Sequence, residues 1–209
     1  MDVRRQAPDE KLMPSETLYP TAALQRENTG ALFSWQNHAN IKVDDADYAR
    51  CNMTSGPSDS QFLIGKTFAS SVPDGATIDG YVVELDRRGA VGNISDTGLS
   101  LGEDDPGTPK WTPLSENRGD LTTWPSSFAE KSYGGASDTW ATSFTPAEVR
   151  DAEWGVSLAV TNNNVTQSNA FVNFIRITIY WTVPSTGQPF ILQNNRVLPA
   201  FGGINSHQV

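Results

Sequence analysis

Phe174-Ile175-Arg176-Ile177-Thr178-Ile179-Tyr180-Trp181 is the stretch that decides the fold class. Ile175, Ile177, Ile179 and Trp181 fall on one side of an extended chain, and Arg176 and Thr178 on the other. A period of two is that of a strand with one buried face. Tyr81-Val82-Val83-Glu84-Leu85-Asp86 repeats the pattern, with Tyr81, Val83 and Leu85 to one side. Pro73-Asp74-Gly75 and Asp79-Gly80 ahead of it supply turn chemistry. Trp154-Gly155-Val156-Ser157-Leu158-Ala159-Val160 alternates large residues with small ones, while Gln61-Phe62-Leu63-Ile64-Gly65 and residues 95–101 are weaker strands. Short apolar runs divided by Gly, Asp, Asn, Ser and Pro specify an all-β chain, and their number suits a two-sheet β-sandwich.

Between these strands, Trp124-Pro125, Tyr133-Gly134-Gly135 and Trp140 mark tight turns, with no clustered nucleophile, base or metal-ligand set among them. The one helical signal is Thr145-Pro146-Ala147-Glu148-Val149-Arg150. Thr145 caps, Pro146 suits the first helical position and Glu148 completes a capping box. It leaves space for a turn or two, a short connecting helix across one end of the sandwich.

Residues 1–30 are polar and interrupted by Pro8, Pro14 and Pro20, so they read as an extended N-terminal arm. Strand periodicity runs over residues 31–182. Residues 183–209 follow as a C-terminal docking arm, in which Phe190, Ile191, Leu192, Val197, Leu198, Phe201 and Ile204 concentrate apolar surface that needs a partner.

The 209 residues carry 15 Lys and Arg against 24 Asp and Glu, a net charge of −9, which disfavours a nucleic-acid partner. No run nears the roughly 18 apolar residues that span a membrane, and no apolar core of a secretory leader follows Arg4 and Arg5. The single cysteine, Cys51, excludes an internal disulfide and multi-thiolate metal sites.

The order Val72-Pro73-Asp74-Gly75-Ala76-Thr77-Ile78-Asp79-Gly80, then Tyr133-Gly134-Gly135 with Asp138-Thr139-Trp140 and Phe144-Thr145-Pro146-Ala147-Glu148, then Trp154-Gly155-Val156, then Ile175 to Thr182, resembles a jelly-roll module that recurs in tailed-bacteriophage virion proteins. The resemblance covers about residues 31–182 and neither arm. Ala141 stands where that pattern commonly has glycine, and Trp154 where it has phenylalanine. The resemblance implies a jelly-roll sandwich in a virion, without catalytic residues or cofactors, on either head or tail. The leading expectation is a capsid decoration or cement protein, localised to the virion. It would be a homo-oligomer in the particle, with arms bound to the major capsid protein or to tail and connector proteins. The alternative is a tail, collar or adaptor component with a carbohydrate-binding or host-adhesion role.

Three sets of residues are candidates for chemistry. Asp44, Asp45 and Asp47 place hard oxygen ligands close enough for structural calcium, though without the spacing of an EF-hand, and Glu103-Asp104-Asp105 is a weaker version. Trp111, Trp124, Tyr133 and Trp140 suit either a sugar platform or the closed ends of a sandwich. His38 and His207, the two histidines, lie far apart in sequence with no nucleophile motif beside them, so a non-enzyme is expected.

Overall fold

The computed structural model describes residues 13–54, 57–90, 93–108, 110–164 and 166–184. Their strands are β1 (Ser15–Leu18), β2 (Ala22–Arg26), β3 (Trp35–Gln36), β4 (Ala49–Met53), β5 (Ser58–Asp59), β6 (Phe62–Lys66), β7 (Thr77–Gly89), β8 (Ile94–Asp105), β9 (Lys110–Pro113), β10 (Ala129–Gly135), β11 (Trp154–Asn162) and β12 (Ser168–Thr182). One sheet has the order β10-β7-β12-β4-β3, with β1 also on β12; the other has β2-β6-β11-β8-β9, with β5 also on β11.

Eight of these strands pair from the ends of the chain inward. β4 pairs with β12, β6 with β11, β7 with β10 and β8 with β9, all antiparallel. That is one long antiparallel ribbon. Rolling it brings β12 against β7 and β11 against β8, which closes the two sheets over one another. The result is a jelly roll, which joins two Greek keys.

The alternation in the sequence becomes the interior. Val83, Leu85, Ile175, Ile177 and Ile179 of the first sheet face Leu99, Leu101, Trp154, Val156 and Leu158 of the second, all in one buried cluster. Pro146–Val149 forms a single helical turn, with Thr145 and Glu148 closing both halves of the capping box. A 3-10 turn at His38–Lys42, which periodicity does not signal, puts Ile41 into the core.

The N-terminal arm expected over residues 1–30 is different in its described part. β1 pairs with β12 from Ser15↔Tyr180 to Leu18↔Ile177, and β2 pairs with β6 from Ala22↔Lys66 to Arg26↔Phe62. Pro14 and Pro20 bound these strands rather than breaking a longer one, and Pro20 packs where Gly65 lacks a side chain. Both strands sit at sheet edges, where half-exposed positions tolerate Glu, Thr, Gln and Arg. Residues 1–12 and 185–209 lie outside the described residues, and with them Arg4, Arg5, His207 and the seven apolar positions from Phe190 to Ile204.

Candidate functional site

The four aromatic candidates are buried, so of the two roles open to them none presents a free ring face to a sugar. Trp124 Nε1 donates to Asp96 Oδ1 at 2.7 Å and the Tyr133 hydroxyl to Asp96 Oδ2 at 2.7 Å. Arg87 Nη1 and the Asp120 amide bind the same carboxylate at 3.1 and 2.9 Å, and the Arg87 guanidinium lies 4.9 Å from the Trp124 ring centre. These rings therefore house a buried ion pair between the sheets. Burial, with the Asp96 charge beside it, pushes the Tyr133 hydroxyl far up, so it stays a donor.

Trp140 Nε1 donates to the Tyr81 carbonyl at 3.2 Å, above Gly134, whose φ is +85° and whose missing side chain leaves room for the indole. Trp140 and Ala141 hold φ of 55° and 54°. That is left-handed backbone, which explains why glycine suits the Ala141 position. The Trp and Gly motifs are thus joints of the fold.

The acidic candidates are engaged in turns. Asp45 Oδ1 accepts from the Asp47 amide at 2.8 Å, and Asp44 Oδ1 accepts from Asn173 Nδ2 at 3.1 Å. Asp105 likewise closes its own turn through Gly107 and Thr108, and Asp104 is paired with Arg26 and Lys66. Among the described residues no three His, Cys, Asp or Glu side chains are grouped to hold a metal ion. Cys51 is fully buried, and desolvation pushes its thiol up to about 12, which removes the thiolate a nucleophile needs. Burial lowers the pKa of His38, favouring the neutral ring.

The site that the topology does build lies on the outer face of the second sheet. Residues pointing away from the core there are small: Gly98, Ser100 and Gly102 on β8, and Gly155, Ser157 and Ala159 on β11. The Ser100 and Ser157 hydroxyls hydrogen-bond to each other at 2.9 Å. Small side chains on one face let a sheet bend toward that face, and this sheet curls until its edges meet. Glu27, just beyond β2, bridges Lys110 of β9, and Arg26 of β2 pairs with Asp104 of β8 across two intervening strands. Asp104 also takes Lys66 Nζ at 2.8 Å, and Lys66 in turn pairs with Glu153. Desolvation raises the Asp104 carboxyl pKa, but the hydrogen bonds from Arg26 and Lys66 outweigh it and hold it below the ordinary value.

The curl leaves a trough on either side of the crossing at Asn28. One part, about 250 Å³, is lined by Asn28, Asp59, Phe62, Thr97, Ser100 and Asn117 among others. Its neighbour, about 370 Å³, shares Asn28, Phe62 and Pro113 and adds Glu27, Lys110 and Trp111. Phe62 is half-buried and forms the apolar wall common to both. Trp111 is 5% exposed, so it backs the trough rather than presenting a face, and Gly102 makes space for its ring. Asn117 is fixed by accepting from the Leu99 and Gly119 amides and donating to the Thr97 carbonyl. Thr97 Oγ1 and Trp111 Nε1 are buried without a hydrogen-bond partner among the described residues.

No family model matches the sequence, and comparison with curated proteins gives no match. Among solved structures, a family 11 carbohydrate-binding module from Clostridium thermocellum, in complex with a β-1,3-1,4-mixed-linked tetrasaccharide, is 14% identical. Its alignment covers 78% of this chain and 94% of that one, with a TM-score of 0.40. The CBM22-1 xylan-binding domain of Paenibacillus barcinonensis Xyn10C is 7% identical over 78% and 92%, with a TM-score of 0.38. A Stig cyclase from Fischerella sp. TAU is 12% identical over 86% and 79%, with a TM-score of 0.34. Likeness of this degree assigns neither a ligand nor a chemistry, and the fold stands on the strand order itself.

Proposed function

We propose that the chain is a non-catalytic carbohydrate-binding β-sandwich whose trough on the second sheet receives a glycan. The observation that carries this reading is the composition of the trough: one aromatic wall, Phe62, beside amides, hydroxyls and a carboxylate on a floor of small residues. A pyranose ring has an apolar C–H face and a rim of hydroxyls, so it asks for an aromatic surface next to convergent donors and acceptors. Asn28, Asp59 and Ser100 supply the polar half, and Gly98 and Ala159 let the sugar approach the sheet. A binding role rather than a reaction is supported by the buried thiol of Cys51 and by the engagement of Asp44, Asp45, Asp104 and Asp105 in turns and ion pairs.

Titration with soluble neutral β-glucans and xylans tests this. Phe62→Ala is expected to weaken the best ligand about tenfold, or ~1.4 kcal/mol. Equal affinity in that variant, or no binding across the panel, would sink the reading.

The order of the Pro-Asp-Gly, Tyr-Gly-Gly and Trp-Gly motifs, which resembles phage virion modules, favours a setting for such a protein on the surface of a virion. In a capsid decoration protein the apolar segment from Phe190 to Ile204 would dock on neighbouring subunits. Counting copies per particle separates the settings: hundreds for the head, six or twelve for the tail.

A further inference from the structure

We propose that the outer face of the first sheet carries a second binding site, one that takes the carboxylate of a uronic-acid sugar between Arg50 and Arg88. It lies on the opposite side of the sandwich from the trough and does not rest on that reading.

The site follows from register. Phe171 of β12 is directly opposite Arg50 of β4 on one side and Arg88 of β7 on the other, so the three form a row across adjacent strands. The row faces outward, since Ala170 and Val172 face the core. The Arg88 guanidinium carbon is 3.8 Å from the Phe171 ring centre, 4.9 Å from Phe128 and 5.7 Å from Tyr48, and Arg50 is 6.0 Å from Phe171. Tyr48 meets Phe171 edge-on at 5.1 Å. Packing against rings fixes a guanidinium plane while leaving its N–H edge for a carboxylate, which it can bind through two parallel hydrogen bonds.

What makes the row a site is its unspent charge. Arg176, on the same face, is saturated by Glu84 and Glu130. Among the described residues the Arg88 guanidinium has ring contacts but no hydrogen-bond or ion-pair partner, in a chain where acids outnumber bases 24 to 15. Arg50 donates through Nε to Asn52 Oδ1, which orients it and leaves its terminal N–H groups unspent. The acids nearby are already held: Asn173 donates to both Asp44 and Asp86 at 3.1 Å.

Those acids also choose the ligand. A broadly acidic protein surface would meet Asp44, Asp45, Asp47 and Asp86, whereas a sugar acid brings one carboxylate beside one C–H face. Phe128, 37% exposed, and half-buried Tyr48 offer that face a place to stack.

The experiment is titration of the full chain with trigalacturonate, its methyl ester and poly-glutamate. Trigalacturonate is expected to bind, more weakly as salt rises, and the methyl ester about tenfold or more less tightly. Arg88→Gln should lose roughly tenfold or more, with Arg88→Lys intermediate because it keeps charge without the paired donors. Phe62→Ala should leave trigalacturonate binding unchanged. Phe128→Ala should also weaken trigalacturonate, because it removes an exposed stacking face and one of the rings that hold the Arg88 guanidinium. No binding of trigalacturonate, equal binding of its ester, or indifference to Arg88→Gln in a variant with native circular dichroism would overturn the proposal. Poly-glutamate binding with the same dependence on Arg88 would also overturn it, in favour of an acidic peptide.

Discussion

The two outer faces of this sandwich solve the same problem in opposite ways. On the first sheet, long side chains lie down over the strands: Arg176 on Phe174 with Tyr19 beside it, and Arg88 on Phe171 with Tyr48 and Phe128 around it. On the second sheet the outward side chains of the central strands β8 and β11 are mostly Gly, Ser and Ala, and the sheet itself bends to cover the face. A face covered by side chains leaves only its spare charges for a ligand. A face covered by curvature leaves volume. That difference predicts where substitutions act through backbone packing and where they act through charge.

The largest effect is expected at Gly102. A β-carbon there would overlap the Thr112 carbonyl and crowd the Trp111 ring at 3.0 Å, so Gly102→Val must push β9 away from β8. Chemical denaturation should show a loss of about 3 kcal/mol, as overpacking costs when backbone has to move. Val82→Thr, on the outer face of the first sheet, should change stability by less than about 0.5 kcal/mol, as surface substitutions do. If the two cost the same, curvature is not what distinguishes the faces.

Next comes the ion pair that ties the curl. Asp104 has a fully buried side chain, and its partners Arg26 and Lys66 are 23% and 13% exposed. Asp104→Ala removes the anchor but lets both cations swing toward water, so the cost should be about 2 kcal/mol, below the usual loss for breaking a wholly buried pair. The same variant should weaken glycan binding in the trough, because Arg26 no longer holds β2 near β8. Unchanged binding at reduced stability would separate the curl from the site.

The sequence shows some of this plainly. The inward set Ile175, Ile177, Ile179 and Trp181, the turn at Gly75 and the cap at Thr145 are local patterns, and each appears where its period or spacing puts it. The alternation of large and small residues from Trp154 to Val160 even carries the floor of the trough, although nothing in one strand says that its neighbour β8 is equally small. β1 and β2 were illegible because edge strands need no apolar face. Trp124 and Tyr133 were legible as buried aromatics but not as ligands of Asp96, since Arg87, Asp96, Trp124 and Tyr133 meet only when the ribbon rolls. Phe62 gave no signal beyond a weak strand. Arg50 and Arg88 gave none at all, because a row across three strands is a property of register.

The smallest effect separates the faces by pH. Arg176 binds Glu84 through two hydrogen bonds, Nε to Oε2 at 2.8 Å and Nη2 to Oε1 at 3.1 Å, and these hold the Glu84 carboxyl below its ordinary 4.5. A carboxylate whose pKa is lowered by folding adds stability that is fully present above the unfolded value and is lost as pH falls through the folded one. Arg176→Ala should therefore cost about 1 kcal/mol at pH 7, the upper range for a surface pair with bidentate geometry. The difference from wild type should stay level down to about pH 5 and shrink below 4.5 as Glu84 protonates. Urea titrations at several pH values read this directly. Gly102→Val, whose cost is steric, should give a difference that does not follow Glu84. If the Arg176→Ala difference is flat through that range, the pair is not stabilising the first sheet, and its long side chains cover the face through packing alone.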